Sequence, residues 1–117
     1  MKIKDLKELL DAEVLCCEEN LGRHLYSACG CDLMSDVLAY VKDQGAMLTG
    51  LVNPQVVRTA VMMDLVCIVF VRSKVPTEDI VELARDNGIV VLTTGKRLYE
   101  ACGILYSNGL GVKATKE

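Results

Sequence analysis

Residues 46–94 read AMLTGLVNPQVVRTAVMMDLVCIVFVRSKVPTEDIVELARDNGIVVLTT. Three apolar runs lie in this stretch: Ala46-Met47-Leu48, Val66 to Val71 and Ile89 to Leu92. Two segments of helical period separate them. The second and third runs show no polar alternation, and a strand apolar at every position is covered on both faces. Asn53 before Pro54 pairs a capping residue with a favoured first helical residue. Val56, Val57, Ala60, Val61 and Met63 are the core positions expected of that helix. Pro76-Thr77-Glu78-Asp79 opens the next one with acids at its positive end. Ile80, Leu83 and Ala84 are its expected core face, and Gly88 is a good left-handed stop. One- or two-residue connections at Asp64-Leu65 and Gly88 fit tight helix-to-strand turns. The reading is an α/β fold: a mostly parallel central sheet with a βαβαβ core and helices on both faces.

Outward from this core, Ile3, Leu6, Leu9 and Leu10 fall on one face of a helix over 3–10. Residues 12–16 read as a short strand, 18–23 as a loop, and 24–28 as a second short strand. Cys29-Gly30-Cys31 is expected to turn the chain into a helix from Asp32 to about Lys42, with Asp32 accepting from its first-turn amides. Leu33, Val37, Leu38 and Val41 would be its buried face. A last helix runs from about Lys96 to Tyr106, with Leu98, Ala101, Cys102 and Leu105 inward, and a mobile tail is expected from about residue 111. The two early strands either extend the sheet or form a small antiparallel addition; both arrangements remain open.

A chain of 117 residues, 51% of them apolar, is expected to form one domain. A net charge of −3 argues against nonspecific nucleic-acid binding, which needs a basic face. With no Trp and one Phe, base-stacking platforms are not expected either. No run approaches the length of a membrane span. Charges throughout residues 1–15 leave no uninterrupted apolar leader core, so a cytoplasmic protein without membrane contact is expected. The six cysteines fit core thiols better than a secreted disulfide framework.

The exits of the three central strands are the candidate site, because ligands of open α/β sheets bind beyond the carboxyl ends of the strands. At the first exit stand Thr49, Gly50 and Asn53, with Gln55 and Val56 as amide donors at a helix start. Arg72, Ser73 and Lys74 follow the second, where two cations suit a phosphate or carboxylate. Thr93 and Thr94, before Gly95-Lys96-Arg97, follow the third, although Thr94 also reads as a helix cap. Each loop has a plainer reading as an ordinary connection. There is no P-loop and no G-x-G-x-x-G. Cys16-Cys17 and Cys29-x-Cys31 would approach one another if the early strands paired, which would suit zinc or an iron–sulfur cluster. Their spacing lacks the C-x-x-C form, and buried thiols are the plainer reading. His24 reads as a surface or strand-edge residue. Asp32 and Asp36, four apart on a helix, could face a cation but are explained by capping and solvation. Met62-Met63 reads as core or subunit contact.

From Asp32 onward the chain resembles a stand-alone DRTGG domain. The resemblance is carried by Cys31-Asp32-Leu33-Met34-Ser35-Asp36-Val37-Leu38, by Ala46 to Asn53, by Cys67 to Arg72, and by Pro76-Thr77-Glu78. Leu83-Ala84, Gly88-Ile89 and Leu92-Thr93-Thr94 complete it. The last stretch also resembles the non-catalytic N-terminal domain of HPr kinase/phosphorylase. The literal motif is replaced by Val52-Asn53 and Val71-Arg72-Ser73. The resemblance implies a regulatory or ligand-sensing module of the kind attached to CBS pairs, phosphotransacetylase or cobyrinate-synthase-like proteins, pairing as a homodimer. The expected function is therefore non-catalytic binding of a small anionic metabolite or nucleotide at the strand exits. A ligand-free dimeric accessory protein is the alternative, with a cysteine-based metal protein behind it.

Overall fold

The computed structural model describes residues 1–32, 34 and 44–111. Most of the helix expected after Asp32, and the tail beyond 111, fall outside them. In order, the elements are α1 (Ile3–Leu9), β1 (Glu13–Cys16), a 3₁₀ turn (Glu18–Asn20), β2 (Ser27–Gly30), β3 (Gly45–Thr49), α2 (Pro54–Met62), β4 (Cys67–Phe70), α3 (Glu78–Asp86), β5 (Val90–Thr93) and α4 (Leu98–Ser107).

The five strands form one mixed sheet in the order β1-β5-β4-β3-β2. The expected parallel core is present: Met47 lies beside Ile68, and Ile68 beside Val91, all in parallel register. Every residue of β3, β4 and β5 is buried, as apolar runs without alternation require. The open question about the early strands is answered by one of each kind. β2 extends the sheet in parallel at one edge, and β1 closes the other edge antiparallel to β5, with a bulge between Val14 and Cys16.

Two expectations needed correction here. The second early strand lies at Ser27–Gly30 rather than 24–28, so Cys29-Gly30 is strand and not turn. Gly30 is glycine because α4 presses on it: a Cβ there would stand 2.3 Å from Cys102 Sγ. Val61 is not core; it is 42% exposed, while Thr59 on the same helix is buried.

Among the described residues the helices flank the sheet in two pairs. α1 packs with α4, which lies over β2 and β3; α2 packs with α3, which lies against β5 and β1. α2 starts as expected, with Asn53 Oδ1 accepting from the Gln55 amide at 2.8 Å and Pro54 in the first turn. Thr77 caps α3, which Gly88 stops at φ +68°. α4 buries Ala101 and Leu105, with Leu98 and Cys102 half-buried, matching its expected inward face. No helix among the described residues is long and apolar enough to cross a membrane.

Candidate functional site

The exits of the parallel strands meet at one end of the sheet, and two loops there are knitted together. The Arg72 amide donates to the Lys96 carbonyl at 2.8 Å, and the Ser73 amide to the Thr94 carbonyl at 2.9 Å. The Thr93 hydroxyl donates to the Lys74 carbonyl at 2.7 Å. To make these bonds Arg72 and Ser73 both adopt left-handed backbone, at φ 59° and 58°. Side chains other than glycine enter that region at a cost. The result gathers Arg72, Lys74, Lys96 and Arg97 on one rim of a chain whose net charge is −3.

The first loop joins this group through Arg72. Its guanidinium lies over Gly50 so closely that a Cβ there would sit 2.0 Å from Nη2. Asp32, two residues past the end of β2, completes the arrangement. Its Oδ1 accepts from the Thr49 hydroxyl at 2.9 Å and from the Gly50 amide at 2.8 Å. The Gly50 amide, the Thr49 hydroxyl and the nearby Arg72 charge hold the Asp32 carboxyl below its usual range. Thr49 is fully buried, and its oxygen also accepts from the Leu51 amide at 3.1 Å.

Of the residues expected from sequence, Thr49, Gly50, Arg72, Ser73, Lys74, Thr93 and Thr94 therefore come together. Their roles differ from expectation. The Gly50 amide is held by Asp32, and the amides of Gln55 and Val56 are held by Asn53, so the start of α2 already caps itself. Thr94 is not the cap of α4, whose capping residue is Arg97. Its buried hydroxyl donates to the Leu10 carbonyl at 2.6 Å. What faces outward is the cationic side chains rather than the backbone amides. Sequence gives Asp32 no place at this site because the expected strand 24–28 ends two residues short of the observed end at Gly30. A strand ending at Gly30 carries Asp32 to the same rim as the other exits.

The rim is shallow. A hollow of about 250 Å³ lies there between Leu10, Asp11, Thr94, Gly95, Lys96 and Glu100. A larger cavity of about 600 Å³ lies toward the other end of the sheet, where Met1, Asp5, Glu8, Leu25, Tyr26 and Leu110 are among its lining residues. Nothing in the sequence reading pointed to it, since its walls come from the two ends of the chain and the start of β2.

The cysteine constellation does not assemble. Cys16 and Cys17 sit at the β1 edge and Cys29 and Cys31 at the β2 edge, with three strands between them. At about 4.8 Å per strand the pairs are far too distant to share an ion. Among the described residues no group of three or more His, Cys, Asp and Glu could hold a metal. Cys16 and Cys17 instead point their thiols at the carbonyls of Ile89 and Arg85. Burial, and then the neighbouring Cys16, push the Cys17 thiol up to about 11. His24 is exposed, as expected, and stacks beside Tyr26 at 6.3 Å between ring centres.

A family model for the DRTGG domain matches residues 5–107. Among solved structures, the chain is similar to the CBS and DRTGG domains of the regulatory region of Clostridium perfringens pyrophosphatase, complexed with its activator diadenosine tetraphosphate. The TM-score is 0.70 at 16% identity, over 89% of this chain and 45% of that one. The chain thus spans less than half the length of that neighbour. No curated protein matches it.

Proposed function

The chain belongs to the DRTGG domain family, and on that premise we propose that it is a regulatory module that binds a small phosphate-bearing anion or nucleotide at the exits of β3, β4 and β5. One observation carries this reading: the bonded loops after β4 and β5 hold Arg72, Lys74, Lys96 and Arg97 on one rim. Folding alone does not favour that placement. Arg97 caps α4 without a side-chain capping bond, at the positive end of the helix, where a cation is disfavoured. Lys96 has a partner in Glu100 at 3.9 Å and Arg72 lies beside the Asp32 carboxylate, which leaves Lys74 and Arg97 the more available cations. Several cations on a shallow surface suit a ligand with more than one phosphate, recognised by side chains. The nucleotide activator bound by the pyrophosphatase region supports the class of ligand. The module acts without catalysis, in the cytoplasm, and passes occupancy to a partner or a second copy.

A thermal-shift titration with pyrophosphate, AMP, ATP and diadenosine tetraphosphate tests this. A ligand at about 100 times its Kd stabilises by about 2.7 kcal/mol, a readily measured rise in Tm. No shift with any of them at millimolar concentration would sink the reading.

A second reading has its own support. Tyr99 is 92% and Tyr106 68% exposed, two turns apart on α4, with open space at Gly103 between them. Such an aromatic face suits a dimer or partner contact. Sedimentation of wild type against the Tyr99→Ser/Tyr106→Ser double variant separates the two, since loss of a dimer would favour this second reading and leave anion binding to be judged on its own.

A further inference from the structure

The donors expected to cradle an anion at the β3 exit are already bonded to a carboxylate. The Thr49 hydroxyl and the Gly50 amide converge on one oxygen, Asp32 Oδ1, at 2.9 and 2.8 Å. Arg72 closes over Gly50. The Thr49 oxygen receives the Leu51 amide, so its own proton is directed to whatever acceptor occupies the Asp32 position. Asp32 is exposed whereas Thr49 is buried, so the donors are fixed in the sheet and the acceptor stands at the water interface.

We infer that Asp32 is a built-in occupant of the rim site, and that a phosphate-bearing ligand binds there by displacing it from Thr49 and Gly50. This rests on the reading of the rim proposed above and adds its regulation. A phosphate oxygen and a carboxylate oxygen make the same demand on a hydroxyl and an amide, so the two compete for them. The apparent affinity is then the intrinsic affinity multiplied by the fraction of molecules in which Asp32 has swung away. Displacement also has an output. Asp32 ties the exit of β2 to the exit of β3, so binding cuts that tie and reports occupancy at the edge of the sheet. A ligand gains this only from the difference it makes between the tied and untied states.

Pyrophosphate titrated calorimetrically into wild type, Asp32→Asn and Asp32→Ala is the test. Asparagine keeps an acceptor oxygen but no charge; alanine keeps neither. Displacement predicts that alanine binds about tenfold tighter than wild type, with asparagine between the two. Equal gains in both variants would mean that Asp32 acts only by repulsion, and would overturn the inference. Unchanged or weaker binding in both would make it a staple of the loop, with the same result, while the rim site itself stood. A second measurement needs no variant: the Asp32 carboxyl carbon, followed by NMR through acid pH, should titrate closer to an ordinary aspartate once pyrophosphate is bound. If wild type binds and that titration does not move, displacement is wrong. If no protein of the series binds and no rim resonance shifts, the rim reading fails first and this inference goes with it.

Discussion

The two ends of the same parallel strands are built to opposite rules. At the carboxyl end the surface is shallow and brings together Arg72, Lys74, Lys96 and Arg97, and Arg72 and Ser73 hold left-handed backbone. At the amino end lies the roomier cavity, where Leu25 and Leu110 form apolar wall and Asp5 and Glu8 are the charged neighbours. Volume alone would place a ligand at the amino end. The chemistry favours the other, because a cation at a helix start, as at Arg97, works against folding and needs another reason to be there. The amino end also has left-handed residues, Gln44 and Asp64, but its helix start carries a favoured charge: Asp5 sits in the first turn of α1 and accepts from the Lys2 amide at 2.9 Å.

The contrast is open to direct attack. Leu25 is 1% exposed, so Leu25→Ala should lower unfolding free energy by about 2–5 kcal/mol in urea melts while leaving rim anion affinity unchanged. A parallel loss of anion binding would mean that the cavity, not the rim, is the site. The Lys74→Ala/Arg97→Ala double variant should do the reverse. Pyrophosphate affinity should fall about tenfold or more, with a flatter salt dependence, and stability should stay within about 0.5 kcal/mol. Arg72→Gly sharpens the same point in one residue. Relief of left-handed strain, about 1–2 kcal/mol, is offset by about 0.5–1 kcal/mol of added chain entropy. The variant should therefore be as stable as wild type or slightly more so, yet bind anions less well.

The smallest effect is the pH dependence of Asp32. Its folded-state pKa lies below the unfolded value of about 3.9, so its contribution is complete above that pH and is lost as pH falls through the folded value. Wild type should exceed Asp32→Asn by about 0.5–1 kcal/mol at neutral pH, discounted for exposure, with the gap closing in acid. A gap that persisted at the lowest pH where the protein stays folded would mean that the carboxylate charge is not what holds the loop.

The central strands were legible because burial on both faces leaves a local mark, an apolar run without alternation. The helix starts after Asn53 and Thr77 were legible for a similar reason, since the Asn53 cap and the acids Glu78 and Asp79 lie within a turn of the amides they face. Gly30 was misread because glycine as a turn former and glycine as a gap beneath a helix look alike in sequence. Only the approach of Cys102 distinguishes them. The candidate loops were found from strand ends, yet the state of their amides was not. Whether Gly50 faces a ligand or Asp32 depends on two segments 18 residues apart. Helical period alone puts Val61 on the core side, but it places a face and not its width, and Val61 falls outside.

The edge strand β1 bears on how the chain reaches this state. Glu13 pairs with Thr93, and the Thr94 hydroxyl reaches back 84 residues to Leu10. Contacts that span so much chain must close a large loop before they return anything, and they slow folding accordingly. During synthesis the earliest strand of this sequence has nothing to pair with until the latest one emerges. Over that interval Val14 and Cys16 wait beside an unfinished sheet, and a nascent chain stalled before β5 would expose both to chaperones and to its neighbours on the polysome.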